Sequence, residues 1–218
     1  TAFMAAFSDL LTNRAANDTA ADFVREKIRG LVKNPEVAEI LAPKNHPIGT
    51  KRICVDTAYL ETFNLPQVTL VDVHSSPISR ITPEGVEAGG TTHAVDSIVF
   101  ATGFDAMTGT ILAMDLHGRD GVSMRDVWAD GPRTHLGLMV AGFPNLFMIT
   151  GPGSPSVLSN MIVSIKQHVD WVCDALAHLR AQGLSVMETT LKAQEDWVAH
   201  VNEVAHRTLY PQAKSWYM

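Results

Sequence analysis

Two adjacent cations, Lys51 and Arg52, open the run Lys51-Arg52-Ile53-Cys54-Val55. In an extended segment their side chains leave on opposite faces, so one can meet an exposed phosphate while the other turns inward. The alternative is a pair of solvated charges at the start of a strand. A second candidate is the run from Asp96 to Gly103, in which Ile98, Val99, Phe100 and Ala101 lead into Thr102-Gly103. That pattern predicts a buried central strand delivering backbone to a tight turn. Turns at the carboxyl ends of strands are where α/β sheets place ligands, so the corner from Thr102 to Asp105 is either a ligand corner or an ordinary turn. A third is Thr150-Gly-Pro-Gly-Ser-Pro-Ser156, which follows the apolar run 145–149 and precedes a helix. Unpaired N–H groups at such a helix start suit an anion or a polarised oxygen; otherwise the stretch is a plain strand-to-helix link.

Other residue types lead away from chemistry. None of the nine histidines pairs with another at metal-ligand spacing, and they read as satisfied or solvated, His200 and His206 at the surface. Ser154, Ser156 and Ser159 do not sit in a Gly-x-Ser-x-Gly elbow, which argues against a hydrolase triad.

The elements that must position these residues can be read from spacing. A helix is expected from about Asn17 or Asp18, with Ala20, Phe23, Val24, Ile28 and Leu31 on one core-facing side. Asn34-Pro35 is a second start signal, and Pro43 ends that short helix. Strands are expected at 51–55, at 68–73 and from Ile78 to Ile81. Gly89-Gly90 marks a hairpin turn into the strand that runs towards Asp96. The 108–132 stretch reads as a loop-rich excursion with short strands near Ile111 and Val122. A long helix follows with Ile162, Ile165, Val169, Val172, Leu176 and Leu179 on one face and Gly183 as its cap. A short strand at 186–190 and a last helix carrying Ala193, Trp197, Val201, Ala205 and Leu209 complete the expected elements.

Composition sets the class. The chain has 218 residues, 46% hydrophobic and 18% charged, which fits an ordinary globular domain or two small ones. A net charge of −6 argues against a nucleic-acid partner held by a broad basic surface, so any anion site must be local. No apolar run approaches the roughly 20 residues a membrane helix needs. Cys54 and Cys173 lack metal-ligand spacing and read as buried free thiols in a reducing compartment, which suggests the cytoplasm. No Gly-x-Gly-x-x-Gly follows any strand, so the phosphate-cradling half of a dinucleotide fold is absent from this stretch.

The run 96–109, Asp-Ser-Ile-Val-Phe-Ala-Thr-Gly-Phe-Asp-Ala-Met-Thr-Gly, resembles the Ala-Thr-Gly element of flavin-dependent Baeyer-Villiger monooxygenases. The resemblance continues through Ala141-Gly-Phe-Pro-Asn-Leu-Phe147, Gly151-Pro-Gly-Ser-Pro-Ser-Val-Leu-Ser-Asn-Met161, Gln167-His-Val-Asp-Trp171, Trp197-Val-Ala-His-Val-Asn-Glu203 and Ser215-Trp-Tyr217. Phe7-Ser-Asp9, Lys51-Arg52 and Phe63-Asn64 extend it over nearly the whole chain. It implies an α/β fold that is part of a flavoprotein with two dinucleotide-binding domains, each discontinuous and Rossmann-like. Residues 1–42 would then end a helical insertion, 43–101 would be the second part of the NADP-binding domain with connecting antiparallel strands, and 102–218 the second part of the FAD-binding domain. The family's Gly-rich fingerprints would lie upstream of Thr1, in an amino-terminal part of the same enzyme. By itself this stretch would neither hold FAD firmly nor turn over.

The resemblance also implies roles. Lys51 matches the lysine that meets the 2′-phosphate of NADP, and Arg52 the catalytic arginine. A guanidinium stays charged at any working pH, so it can stabilise negative charge during oxygen transfer to a ketone, and it can order the nicotinamide. Asn160 and Met161 match backbone contacts to the flavin, Ser156, Val157 and Leu158 the bulge shaping the substrate pocket, and Trp216 the tryptophan that bonds the NADP ribose. Thr102, Gly103 and Asp105 support the cofactors. The implied reaction consumes NADPH and O₂ and converts a ketone to an ester or lactone through FAD. A nitrogen- or sulfur-oxidising flavoprotein of the same architecture is the alternative, and a non-catalytic remnant of the fold is another. Lys166 and the run Thr57-Ala58-Tyr59-Leu60 depart from the family pattern; the second bears on the packing behind Arg52.

Overall fold

The computed structural model describes residues 7–154 and 160–215. The described residues fall into two units, one formed by 7–103 with 208–215 and the other by 104–207.

The first unit begins with α1, Arg14–Leu31. Its cap is Asn13, whose side chain accepts from the Ala15 and Ala16 N–H groups, so the helix starts a turn earlier than the expected Asn17. Asn17 is instead wholly buried and does a different job. Its amide donates to the carbonyls of Leu10 and Ile48, each at 2.8 Å, and its oxygen accepts from the Ile48 N–H at 3.0 Å. Helix α2, Pro35–Leu41, is capped by Asn34 as its sequence predicts. Ile28, Val32 and Ala38 form a small core that Val24, Val37, Leu41 and Leu60 flank. Phe23 and Leu31, expected on the core side of α1, are exposed: the helix turns Asn17, Ala20, Ala21 and Ile28 inward. Asn64, just beyond α3 (Tyr59–Thr62), closes the other end by accepting from the Lys33 N–H and donating to the Leu31 carbonyl, both at 2.8 Å.

Among the described residues the sheet is a three-stranded antiparallel meander, β1 (Ile78–Thr82), β2 (Gly85–Ala88) and β3 (Thr91–Ala94), in the order β1-β2-β3. Gly89 and Gly90, both at positive φ, make the β2–β3 turn as expected. Gly85 has φ +146°, and a Cβ there would lie 2.0 Å from the His93 carbonyl oxygen, so only glycine lets the two backbones approach.

The runs expected as strands at 51–55, 68–73 and 96–101 are not assigned as strands. Val99 is 89% and Phe100 71% exposed, which corrects the expectation of a buried central strand. A strand exists only through a neighbour that takes its backbone hydrogen bonds, and the described residues place no paired strand beside these runs. Ile53, Val55, Val73, Ile98, Val99 and Phe100 are exposed, while Val68, Leu70 and Val71 are half-buried.

In the second unit the core is Met124, Trp128, Val140, Phe143 and Met148, with Ile111, Leu112 and Leu116 against it. Ile111 lies in a short helix, α4 (Gly109–Ala113), rather than the expected strand, and Val122 follows a 3₁₀ turn at Arg119–Gly121. Ser123 caps α5, Met124–Val127, which brings Met124 into that core. The expected strand at 186–190 is also unassigned; Asn145 holds this stretch by accepting from the Met187 N–H at 3.0 Å and donating to the Ser185 carbonyl at 3.0 Å.

Helix α6, Met161–Ala181, and helix α7, Leu191–His206, are formed where periodicity places them, except that α7 stops short of Leu209, which precedes a 3₁₀ turn at Tyr210–Ala213. Gly183, at φ +65°, follows the end of α6. Yet α6 buries Ser164, His168, Ala175 and Leu179, and Ile162, Val169 and Leu176 of the apolar stripe are exposed. Cys54 and Cys173 are exposed free thiols, not buried ones. No helix among the described residues is long and apolar enough to cross a membrane.

Candidate functional site

In the first unit the chain leaves α2 at Leu41 and runs through the loop 43–50 to Lys51 and Arg52. Two clamps shape that loop. Thr50 is buried, and its hydroxyl donates to the Pro47 carbonyl at 2.6 Å, while Asn17 holds both backbone groups of Ile48. Lys51 therefore sits in a bend, and both it and Arg52 border one cavity of about 260 Å³ instead of diverging to opposite faces. Arg25 and His46 border it too, and the rest of its wall is largely apolar. Among the described residues no carboxylate lines it. Arg25 is anchored by donating from Nε to the Pro43 carbonyl and from Nη1 to Asp22, both at 2.8 Å. His46 is half-buried and is held below its ordinary pKa first by loss of water and then by the cations Lys51 and Arg25. The cavity thus presents a concentrated positive wall in an acidic chain, the arrangement an anion would meet.

Thr102 and Gly103 are exposed, and Gly103 takes φ +86°, but the stretch 101–105 forms no turn; the turn expected at the Thr102–Asp105 corner begins only at Ala106. The boundary between the two units falls directly after Gly103. Asp105 lies over Gly109, where a Cβ would come within 2.2 Å of the carboxyl carbon, so a side chain at 109 would displace this carboxylate.

In the second unit the stretch from Leu136 to Ser154 folds back on itself. Met148 donates to the Leu138 carbonyl at 2.8 Å and Gly151 to that of Gly137 at 3.1 Å. Asn160 is the cap of α6, and its side chain accepts from the Ile162 N–H at 3.0 Å. The Met161 N–H is a first-turn donor of the kind no helical carbonyl can satisfy. Ser156, Val157, Leu158 and Trp216 lie outside the described residues. Sequence reasoning missed His46 and Arg25, which reach the cavity only because the loop 43–50 folds back on α1. It also missed His168, whose ring nitrogen holds the Thr150 N–H at 2.9 Å. The signal for His168 was its i, i+4 spacing with Ser164 and with the inward face of α6.

No family model matches the chain, but known proteins are similar to it in sequence and fold. It is 44% identical over 211 residues to a Baeyer-Villiger monooxygenase of Pseudooceanicola batsensis, covering 96% of this chain and 38% of that protein. It is 41% identical to the phenazine N-monooxygenase PhzNO1 of Lysobacter antibioticus, again over 96% of this chain and 38% of the relative. Among solved structures, OTEMO in complex with FAD and NADP superposes with a TM-score of 0.92 at 42% identity, covering 97% of this chain and 40% of that one. The oxidised steroid monooxygenase bound to NADP gives 0.91 at 50% identity, over 99% and 41%. The chain spans about two fifths of the length of these relatives. It has the fold of the corresponding part of these flavoproteins and belongs to the Baeyer-Villiger monooxygenase family.

Proposed function

We propose that the whole protein is an FAD- and NADPH-dependent Baeyer-Villiger monooxygenase that converts a ketone to an ester or lactone with O₂, and that this chain is its carboxyl-terminal part. The observation that carries the reading is the shared cavity of Lys51 and Arg52. Its cationic wall, with no carboxylate among the described residues, fits the phosphates of a nicotinamide dinucleotide. The capped start of α6 fits a flavin oxygen, because Asn160 satisfies Ile162 and leaves the Met161 N–H for another acceptor. When bound, FAD and NADPH supply the electron transfer and oxygen activation that no side chain can.

The chain's own residues do the rest. Lys51 holds the 2′-phosphate. Arg52 stabilises negative charge developing on the substrate oxygen, and keeps its proton at any working pH. Thr102, Gly103 and Asp105 support the cofactors, and Trp216 and the 156–158 bulge complete the ribose contact and the substrate pocket. Residues 1–42, 43–101 and 102–218 would divide among a helical insertion and the NADP- and FAD-binding domains. The runs 51–55, 68–73 and 96–101, which have no paired strand among the described residues, would take their strand partners from the amino-terminal part of the same enzyme, working in the cytoplasm.

The test is Arg52→Ala in the full-length protein: flavin reduction by NADPH should stay largely intact while ester formation is lost. Normal ester turnover in that variant would sink the assignment. The 41% identity to a phenazine N-monooxygenase favours a second reading, oxidation at nitrogen. Turnover of heteroaromatic nitrogen substrates with none on ketones would select it.

A further inference from the structure

The corner from Thr150 to Gly153 is held at four points by the rest of its unit. The Thr134 hydroxyl donates to the Pro152 carbonyl at 2.6 Å, and the Trp197 indole N–H to the Gly153 carbonyl at 2.9 Å. The Gly151 N–H donates to the Gly137 carbonyl at 3.1 Å, and the Thr150 N–H to His168 Nδ1 at 2.9 Å. Of these four, the last alone depends on a group that titrates. His168 lies on the inward face of α6 with 7% of its surface exposed. A ring nitrogen that accepts carries no proton, so the neutral tautomer has its proton on Nε2. Thr150 has φ +52°, a left-handed conformation that is strained for a β-branched residue and persists only where its surroundings hold it.

We propose that His168 is a positioning residue: its neutral imidazole holds the strained Thr150 corner through Nδ1, and a proton taken up on Nδ1 releases it. Protonation turns the acceptor into a donor, which leaves the Thr150 N–H facing another N–H. An open cavity of about 320 Å³, bordered by Ser154, Gln167, His168, Trp171 and Trp197, gives water a route to the ring. Burial is what pushes the His168 pKa below its ordinary value, and no charged group contributes. Of the charged groups on the neighbouring elements, Lys166 pairs with Asp170 on α6, Lys192 with Asp196 on α7, and Glu195 of α7 with Arg133, while Asp174 and Arg180 of α6 are exposed to solvent. His135 is hydrogen-bonded to the Thr189 hydroxyl, and the His200 ring lies against Trp197. Since the folded pKa is lowered, the hold is complete above the ordinary histidine value and is lost as pH falls through the folded one. The consequence for catalysis rests on the flavin reading given above, because this corner precedes the Asn160 cap.

The test measures amide hydrogen exchange at Thr150, corrected for the intrinsic exchange rate, and the visible flavin spectrum, in the full-length FAD-loaded protein between pH 7.5 and 5. In the natural protein protection should fall about tenfold on acidification, the equivalent of one hydrogen bond. His168→Asn keeps an acceptor at the Nδ1 position without a titrating group, and should hold protection flat across the range. His168→Ala should be poorly protected throughout. Protection in His168→Ala equal to the natural protein's at pH 7.5, a flat profile in the natural protein, or an unchanged pH profile in His168→Asn would each overturn the proposal. Exchange that behaves as expected while the flavin spectrum stays still supports the role of His168 and removes the flavin from this corner.

Discussion

Replacing Asn17 by alanine should be among the most damaging single changes in the first unit. The side chain is fully buried and makes three hydrogen bonds, two donated to the Leu10 and Ile48 carbonyls and one accepted from the Ile48 N–H. Each such bond contributes about 1 kcal/mol net, and a buried group left without a partner costs about 1–3 kcal/mol. Three lost bonds therefore set a floor near 3 kcal/mol, and a value of about 4 kcal/mol is expected because Ile48 loses partners on both its N–H and its carbonyl. Asn13→Ala is the matched control. Asn13 is exposed; its oxygen caps α1 and its amide donates to the Asp9 carboxylate at 3.1 Å, so its loss should cost about 1 kcal/mol. Urea unfolding of the full-length protein, followed by circular dichroism, gives both values, and hydrogen exchange at Ile48 reports whether the loop before Lys51 has come loose. If Asn17→Ala costs no more than Asn13→Ala, the view that this side chain anchors the loop is wrong.

Two further outcomes follow from close contacts and charge. Gly137 has φ +67°, and a Cβ there would lie 2.2 Å from the Ser154 Cβ and 2.9 Å from the Gly151 carbonyl oxygen. Gly137→Ala should therefore destabilise by at least about 2 kcal/mol in thermal or urea unfolding, and a neutral result would show that the Ser154 corner yields easily. Glu188 accepts from Arg119 Nε at 2.8 Å and from the Gly142 N–H at 2.7 Å, and the Arg119 bond followed by the Gly142 bond holds its pKa below the ordinary 4.5. A depressed carboxyl contributes stability that is present above the unfolded pKa and lost as pH falls through the folded one. Glu188→Gln should flatten the stability profile below about pH 4.5, measured by unfolding midpoints across pH; an unchanged acid limb would refute the coupling.

Local signals were legible where the physics is local. Asn34-Pro35, Gly89-Gly90 and the periodicity of α6 and α7 each depend on a few neighbouring residues, and each is where its sequence puts it. The cationic pair at 51 and 52 was legible as a candidate, but its cavity was not. Arg25 and His46 join it only through a loop whose path is fixed by Asn17, about thirty residues from Ile48 in the chain. Asn17 itself was read as a helix start because an asparagine before an apolar stripe looks the same whether it caps or is buried. The stripes on α1 and α6 misled in a consistent way: apolar periodicity states that a face wants cover, not which residues supply it.

The same distinction explains the misplaced centre of the chain. The run 96–103 has the composition of a strand covered on both faces, yet Val99 and Phe100 stand exposed and unpaired with any strand among the described residues. Burying Val99 and Phe100 would contribute about 1.5–3 kcal/mol each, so an open segment of this kind is a surface waiting for a neighbour. The runs at 51–55 and 68–73 likewise have the composition of strands and no paired strand among the described residues, and the chain spans about two fifths of the length of its relatives. Gly103, at φ +86°, directs the chain no better than the segment that enters it is held. Arg52 obeys the same logic from the other side: its loop is clamped at Thr50 and Ile48, but the stretch that follows it is open. The chain's own contacts therefore fix the approach to Arg52, and no strand among the described residues pairs with the stretch beyond it.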